Sequence, residues 1–234
     1  MKLKIRILSF SMLAVGIMLL LASGCTKADV KPTIKPQTDI VDQDGNVYTA
    51  VTIGTQVWMA ENLRTTKYNN GDPIETTSLD ISGESAPKYQ WVYENNESYA
   101  STYGRLYTWP AATDSRTVCP TGWHVPTDKE WETLKLYLGG DSIAGAKLKE
   151  TGTTHWQTPN SGTTNEMGFT ALPGGYRSNL GSFVSLQVST YLWSSSPNPT
   201  PEWSWGQRMY YNDGILLRGG YFKQAGASIR CMKD

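Results

Sequence analysis

The chain has 234 residues, 21 Lys+Arg against 21 Asp+Glu, and only two histidines. With the three basic residues of the first 25 removed, 18 basic face 21 acidic residues, a formal charge of −3. A weakly acidic chain without basic runs gives no footprint for nucleic acid and no polybasic patch for anionic lipid.

The first element is a targeting segment. Lys2, Lys4 and Arg6 form a positive start, Ile7 to Leu21 is almost wholly apolar, and Ala22-Ser23-Gly24 supplies small residues before Cys25. The apolar run has the length of a signal core and is short for a membrane span. We read residues 1–24 as a lipoprotein signal, Cys25 as the lipid-bearing first mature residue, and 25–38 as a polar tether containing Pro32 and Pro36. The alternative is an ordinary signal cut near Ala22, with a coincidental cysteine. The anchor makes the membrane the first partner, and the outer membrane is the expected location.

The folded domain is expected over 39–234. Asp42 to Asn46 is turn chemistry, and Asp42-x-Asp44-Gly45 resembles the opening of a calcium loop but lacks the remaining ligands. Val47 to Ile53 alternates as one strand, and Gly54-Thr55-Gln56 turns into Val57-Trp58-Met59-Ala60. Residues 69–88 are Asn-, Gly-, Ser- and Pro-rich and read as a surface loop, whereas Tyr89–Tyr93 and Gly104–Trp109 read as aromatic strands. Thr127-Asp128-Lys129-Glu130 is a capping box opening a helix, with Trp131, Leu134 and Leu138 on its inner face and Gly139-Gly140 at its end. A second helix is expected over Ser142–Glu150, with Ile143, Ala146 and Leu148 inward. The rest reads as strands and loops in which nine Trp and 13 Tyr do much of the burying.

Cys119 and Cys231 are the even remainder after Cys25, which in an exported chain points to one disulfide; two buried free thiols are the alternative. Two Cys and two His at unrelated spacings make no zinc site. Neither His124 nor His155 stands in a catalytic pattern, and there is no phosphate or dinucleotide loop, so the chain reads as a non-enzyme. His124 reads as a packed structural residue and His155 as exposed. Tyr211-Asn212-Asp213 resembles the Trp-Asn-Asp calcium motif of C-type lectins without its companion motif, so Asn212 and Asp213 are weak metal candidates and a turn is the competing reading. Trp203, Trp205, Tyr210 and Tyr211 are the candidate ligand-binding aromatics. In a strand Trp203 and Trp205 would share one face, and that face could equally be core.

Several segments together resemble a known family. They are Val57–Leu63, Tyr103–Trp109, Cys119–Trp131, Phe169–Arg177, Trp193–Ser196 and Ser228–Asp234. Their order and content are similar to the Fibrobacter succinogenes major paralogous domain, with Pro110 departing from the usual small residue. The resemblance implies an exported, often lipid-anchored protein and supplies no catalytic residues. Pro126-Thr127-x-x-Glu130-Trp131 and Leu172-Pro173-Gly174-Gly175 more distantly resemble the C-type-lectin-like and formylglycine-generating-enzyme-like fold. That implies an α+β domain with two short helices, small antiparallel sheets and long loops, closed by terminal strands and a cystine. The expected function is an envelope binding or adhesion module for glycan or protein. The rivals are an enzyme with an unrecognised site and a structural surface component.

Overall fold

The computed structural model describes residues 40–234. Cys25, the expected signal and the expected tether lie outside the described residues. The architecture is mixed α+β, with short helices and several sheets.

β1 (Ile40–Val41) and β2 (Val47–Tyr48) form a ribbon closed by Asp42. Asp42 Oδ1 accepts the amides of Asp44 and Asn46, and its Oδ2 accepts the Tyr48 hydroxyl at 2.6 Å. The Asp42–Asn46 segment is therefore a turn. The single strand expected from Val47 to Ile53 is two strands. At Thr49 the amide and hydroxyl donate to the Glu61 carboxylate at 2.9 and 2.8 Å, which interrupts the ladder. β3 (Ala50–Ile53) then pairs with β4 (Gln56–Met59) in a different sheet.

The two aromatic segments are shorter strands than expected, β5 (Gln90–Trp91) and β6 (Leu106–Tyr107), paired with each other. Single-turn helices α1 (Ala100–Tyr103) and α2 (Trp109–Ala112) flank β6. Pro110 sits in the first turn of α2, where its missing N–H costs no helical bond. The 69–88 loop is pinned by the buried side chains of Ile74, Ile81 and Pro87.

After β7 (Trp123–His124), α3 (Asp128–Tyr137) starts on the complete capping box of Thr127 and Glu130. It ends as a Schellman motif: Gly140 donates to the Lys135 carbonyl and Gly139 to that of Leu136. Trp131, Leu134 and Leu138 are fully inward. α4 (Asp141–Leu148) follows, but its inner face is Ala144, Gly145 and Leu148. Ile143 is exposed and Ala146 half-buried, contrary to the amphipathic reading. Close approach decides this, because a Cβ on Gly145 would lie 2.4 Å from the Ile215 carbonyl oxygen. Only a glycine lets the helix lie on that backbone, and the contact fixes its rotation.

The second half is β8 (Gly174–Arg177), β9 (Phe183–Leu186), β10 (Ser189–Pro197), β11 (Trp203–Tyr210), β12 (Leu217–Phe222), β13 (Ala227–Ser228) and β14 (Met232–Lys233). The larger sheet runs β12-β11-β10-β13-β6-β5, with β8 also on β10 and β9 on β8. A smaller sheet, β3-β4-β14-β7, brings the last strand beside one of the first. Cys119 and Cys231 are joined in a buried disulfide that fastens the same end.

Alternation across β10 sorts the core into two parts. Leu192 faces one cluster, with Trp58, Trp131, Leu134, Trp156, Phe169 and Met209. Tyr191 and Trp193 face the other, with Tyr48, Met59, Tyr107 and the cystine. Arg230 is buried beside the first cluster, donating to Asn62 Oδ1 at 2.8 Å and to the Phe169 carbonyl, its guanidinium 4.2 Å from the Phe169 ring centre. Burial pulls its value down to about 9.

Candidate functional site

Three strands build an aromatic cleft. In the β10–β11–β12 meander Tyr191 faces Arg208, Trp193 faces Gly206, and Ser204 faces Tyr221. Side chains alternate along strands, so these six positions project from one face of the sheet. β8 adds Tyr176, whose ring centre is 4.6 Å from that of Tyr191. Tyr221 stands edge-on to Tyr191 at 5.3 Å and to Trp193 at 6.3 Å. The resulting cavity is about 400 Å³, bordered at its edge by Trp203, Phe222, Ser178 and Asn179.

A bare position on β11 seats the Tyr221 ring. A Cβ on Gly206 would meet the Tyr221 ring at 3.0 Å and the Leu192 carbonyl oxygen at 2.8 Å. The Tyr221 ring can lie across β11 only because that position is bare. Tyr221 is consequently half-buried, although its hydroxyl is wholly buried and has no hydrogen-bond partner.

Arg208 is the one charged residue lining the cavity. Its guanidinium lies 4.3 Å from the Tyr210 ring centre and 5.7 Å from that of Tyr191. It makes no ion pair among the described residues, and its Nε is buried without a partner. Burial pushes the phenols of Tyr176 and Tyr221 above their ordinary value, so both are neutral hydrogen-bond groups near neutral pH. The cleft thus offers aromatic rings, the polar side chains of Ser178 and Asn179 and one cation, while the Tyr221 hydroxyl is shut away.

The four aromatics singled out in the sequence are dispersed. Trp203 borders the cleft, about one-third exposed and in tilted contact with Phe222, ring centres 5.0 Å apart. Trp205 shares its face, as alternation requires, but is half-buried under the Arg218 guanidinium, which in turn donates to Asp128 at 2.8 Å. Tyr210 is a neighbour of Arg208, and Tyr211 packs against the Trp58–Trp131 core. The sequence reading missed Tyr176, Tyr191, Trp193, Arg208 and Tyr221. The available signals were the Tyr191/Trp193 alternation and the bare Gly219-Gly220 ahead of Tyr221.

Asp213 Oδ1 accepts the Ile215 amide at 2.9 Å, a turn bond. The carbonyls of Asp213 and Tyr210 both accept from the Lys149 ammonium, at 2.7 and 2.6 Å. The positive charge on this loop is therefore a buried lysine, whose value burial lowers to about 8. Among the described residues there is no group of three or more His, Cys, Asp or Glu side chains able to hold a metal ion.

Both histidines are paired. His124 bridges Asp234 at 2.7 Å through Nδ1 and Glu130 at 3.1 Å through Nε2, so it ties the last residues to the cap of α3. His155 is half-buried rather than exposed, because Glu150 holds its Nδ1 at 2.9 Å and the Tyr103 ring packs against it. No helix among the described residues is long and apolar enough to cross a membrane.

No curated protein and no solved structure matches the chain. The family model described as the Fibrobacter succinogenes major domain matches residues 51–233, and the chain belongs to that family.

Proposed function

We propose that this protein is a lipid-anchored, extracytoplasmic binding or adhesion module of the bacterial envelope, with the Tyr191–Arg208–Tyr221 cleft as its ligand site and a glycan as its ligand. The observation that carries the reading is the cleft. Half-buried Tyr176 and Tyr221 and exposed Trp203 border an open cavity above buried Tyr191 and Trp193, with the Arg208 guanidinium among them. A concave, mostly apolar space carrying a few polar groups is the usual form of a small-ligand site. Tyrosine rings offer both stacking faces and hydroxyls, the combination that sugar rings require.

Anchoring rests on the run Leu21-Ala22-Ser23-Gly24-Cys25 and the positive start before it. A buried cystine agrees with an oxidising compartment outside the cytoplasm. The outer membrane is the location we propose. A C-type-lectin-like arrangement is the finer fold assignment that we favour. It is supported by β14 pairing with β4, by the cystine between the segment ahead of α3 and the chain end, and by the two consecutive helices. The proposed role is binding, without catalysis, and the proposed ligand site needs no cofactor.

Two experiments test this. Labelled palmitate should tag the wild type and leave Cys25→Ala untagged; equal labelling of both would refute the anchor. On a glycan array the wild type should give discrete signals that Tyr191→Ala abolishes and Trp203→Ala weakens. Signals unchanged in both variants would remove the cleft from the account.

A further inference from the structure

The seven arginines of the described residues are not equivalent. Arg105, Arg116 and Arg218 pair with carboxylates. Arg64, Arg177 and Arg230 donate to amide or carbonyl oxygens of the protein. Arg208 alone reaches no carboxylate, amide or carbonyl oxygen; the polar group beside it is the Tyr191 phenol. It is also the one arginine on the wall of the aromatic cleft.

A guanidinium carries five N–H donors in a planar fork, and its strongest partners are planar or tetrahedral oxyanions. In a partly water-excluded aromatic wall, an unpaired cation favours an anion more than it would in water. No acidic side chain lines the cavity to supply one. The remaining walls are aromatic rings with Ser178, Asn179, glycine and alanine, a mix of flat rings and small polar groups that suits a sugar ring better than an apolar peptide side chain. The volume, about 400 Å³, lies near the small end of the range for ligand pockets and fits a short saccharide.

We infer that the cleft selects an acidic saccharide, whose carboxylate or sulfate is bound by Arg208 while its ring lies against Tyr176, Tyr191 and Tyr221. This rests on the reading of the cleft as the ligand site. A neutral sugar of the same size would stack equally well and leave the guanidinium unpaired, so the charge is what Arg208 discriminates.

The test is titration calorimetry on the purified full-length chain. The probes are trigalacturonate, its methyl ester, a sulfated chondroitin-type disaccharide, maltotriose, and a tripeptide with a free C-terminal phenylalanine. Trigalacturonate or the sulfated disaccharide should bind about tenfold or more tightly than the ester and maltotriose, the size of a charge-assisted contact. Whichever acid binds better identifies the anion. Arg208→Gln should erase the preference, and Arg208→Lys should keep part of it, with unchanged thermal melting as the folding control. The wild-type comparison of acid with ester stands even if a variant fails to fold. Equal affinity for acid and ester, or a preference that survives in Arg208→Gln, overturns the inference. Neutral-sugar binding that Tyr191→Ala abolishes, with Arg208 immaterial, overturns the acidic selectivity alone. Binding of the peptide but no saccharide, or of no probe at all, overturns the saccharide ligand as well.

Discussion

Two aromatic groups lie on opposite faces of the β10–β11 layer, and the protein finishes them differently. On one face Trp58, Trp131 and Phe169 pack ring against ring, with Trp58 and Trp131 at 4.6 Å, and all three are shut away from solvent. The Trp131 indole donates to the Trp193 carbonyl, and the one cation nearby, Arg230, has oxygen acceptors on two sides. On the other face Tyr191 lies 4.6 Å from Tyr176 and 5.3 Å from Tyr221, as close as the rings of the first group, but these rings border an open cavity, and Arg208 lacks any comparable acceptor. Aromatic content alone therefore does not separate core from site. What separates them is whether the rings close over one another or border an open cavity; an unpartnered buried polar atom occurs on both faces, at Trp58 Nε1 and at the Tyr221 hydroxyl.

The contrast can be broken first by truncation in the closed group. Trp131→Ala should cost about 3–5 kcal/mol in denaturant unfolding, as loss of a large core side chain does. It should also reduce binding only in proportion to unfolded protein. Removing the cystine comes next. The Cys119→Ser/Cys231→Ser double variant should lose about 2–4 kcal/mol, because the bond closes a span of 112 residues beneath the Tyr191–Trp193 side of the sheet. A cost of Trp131→Ala below about 1 kcal/mol would show that the closed group is not structural, and one that small for the double cysteine variant would show that the cystine is not.

Smaller effects sharpen the comparison at the α3 cap. Thr127→Ala should cost about 1 kcal/mol, measured by the same unfolding curves. The Glu130 carboxyl is affected by burial, which alone would raise it. Hydrogen bonds from the Thr127 amide and hydroxyl and from His124 outweigh burial and hold it below its ordinary 4.5. A folded-state value below the unfolded one stabilises fully above the unfolded value and is lost as pH falls through the folded value. Wild type should therefore lose more stability than Glu130→Gln when acidified below about pH 4.5; parallel curves for the two proteins would exclude this contribution. The smallest change in stability belongs to the cleft edge. Trp203→Ala should alter unfolding by about 0.5 kcal/mol or less while weakening ligand binding. A large destabilisation there would return Trp203 to the core.

The parts legible in the sequence were those that a few neighbouring residues determine. The Thr127–Glu130 box, the Gly139-Gly140 stop and the inward Trp131, Leu134 and Leu138 are set within about three turns of helix, so local chemistry reads them correctly. The rotation of α4 was not legible, because the Gly145–Ile215 contact that sets it spans 70 positions of chain. The Val47–Ile53 strand broke for the same kind of reason, at a side-chain acceptor on Glu61 that alternation cannot register. In the site, the sequence correctly put Trp203 and Trp205 on one face. It could not say which face would stay open, because that follows from the mutual register of β8, β10, β11 and β12. Arg208 carries no local signature; its significance comes entirely from what surrounds it and from the acceptor it lacks.

A crystal structure of the protein with the best-binding oligosaccharide tests the central claim most directly. The account predicts a sugar ring against Tyr191 and Tyr221, with an oxygen of the ligand bonded to Arg208. A ligand bound elsewhere, with the cleft empty or filled by ordered water alone, would contradict it.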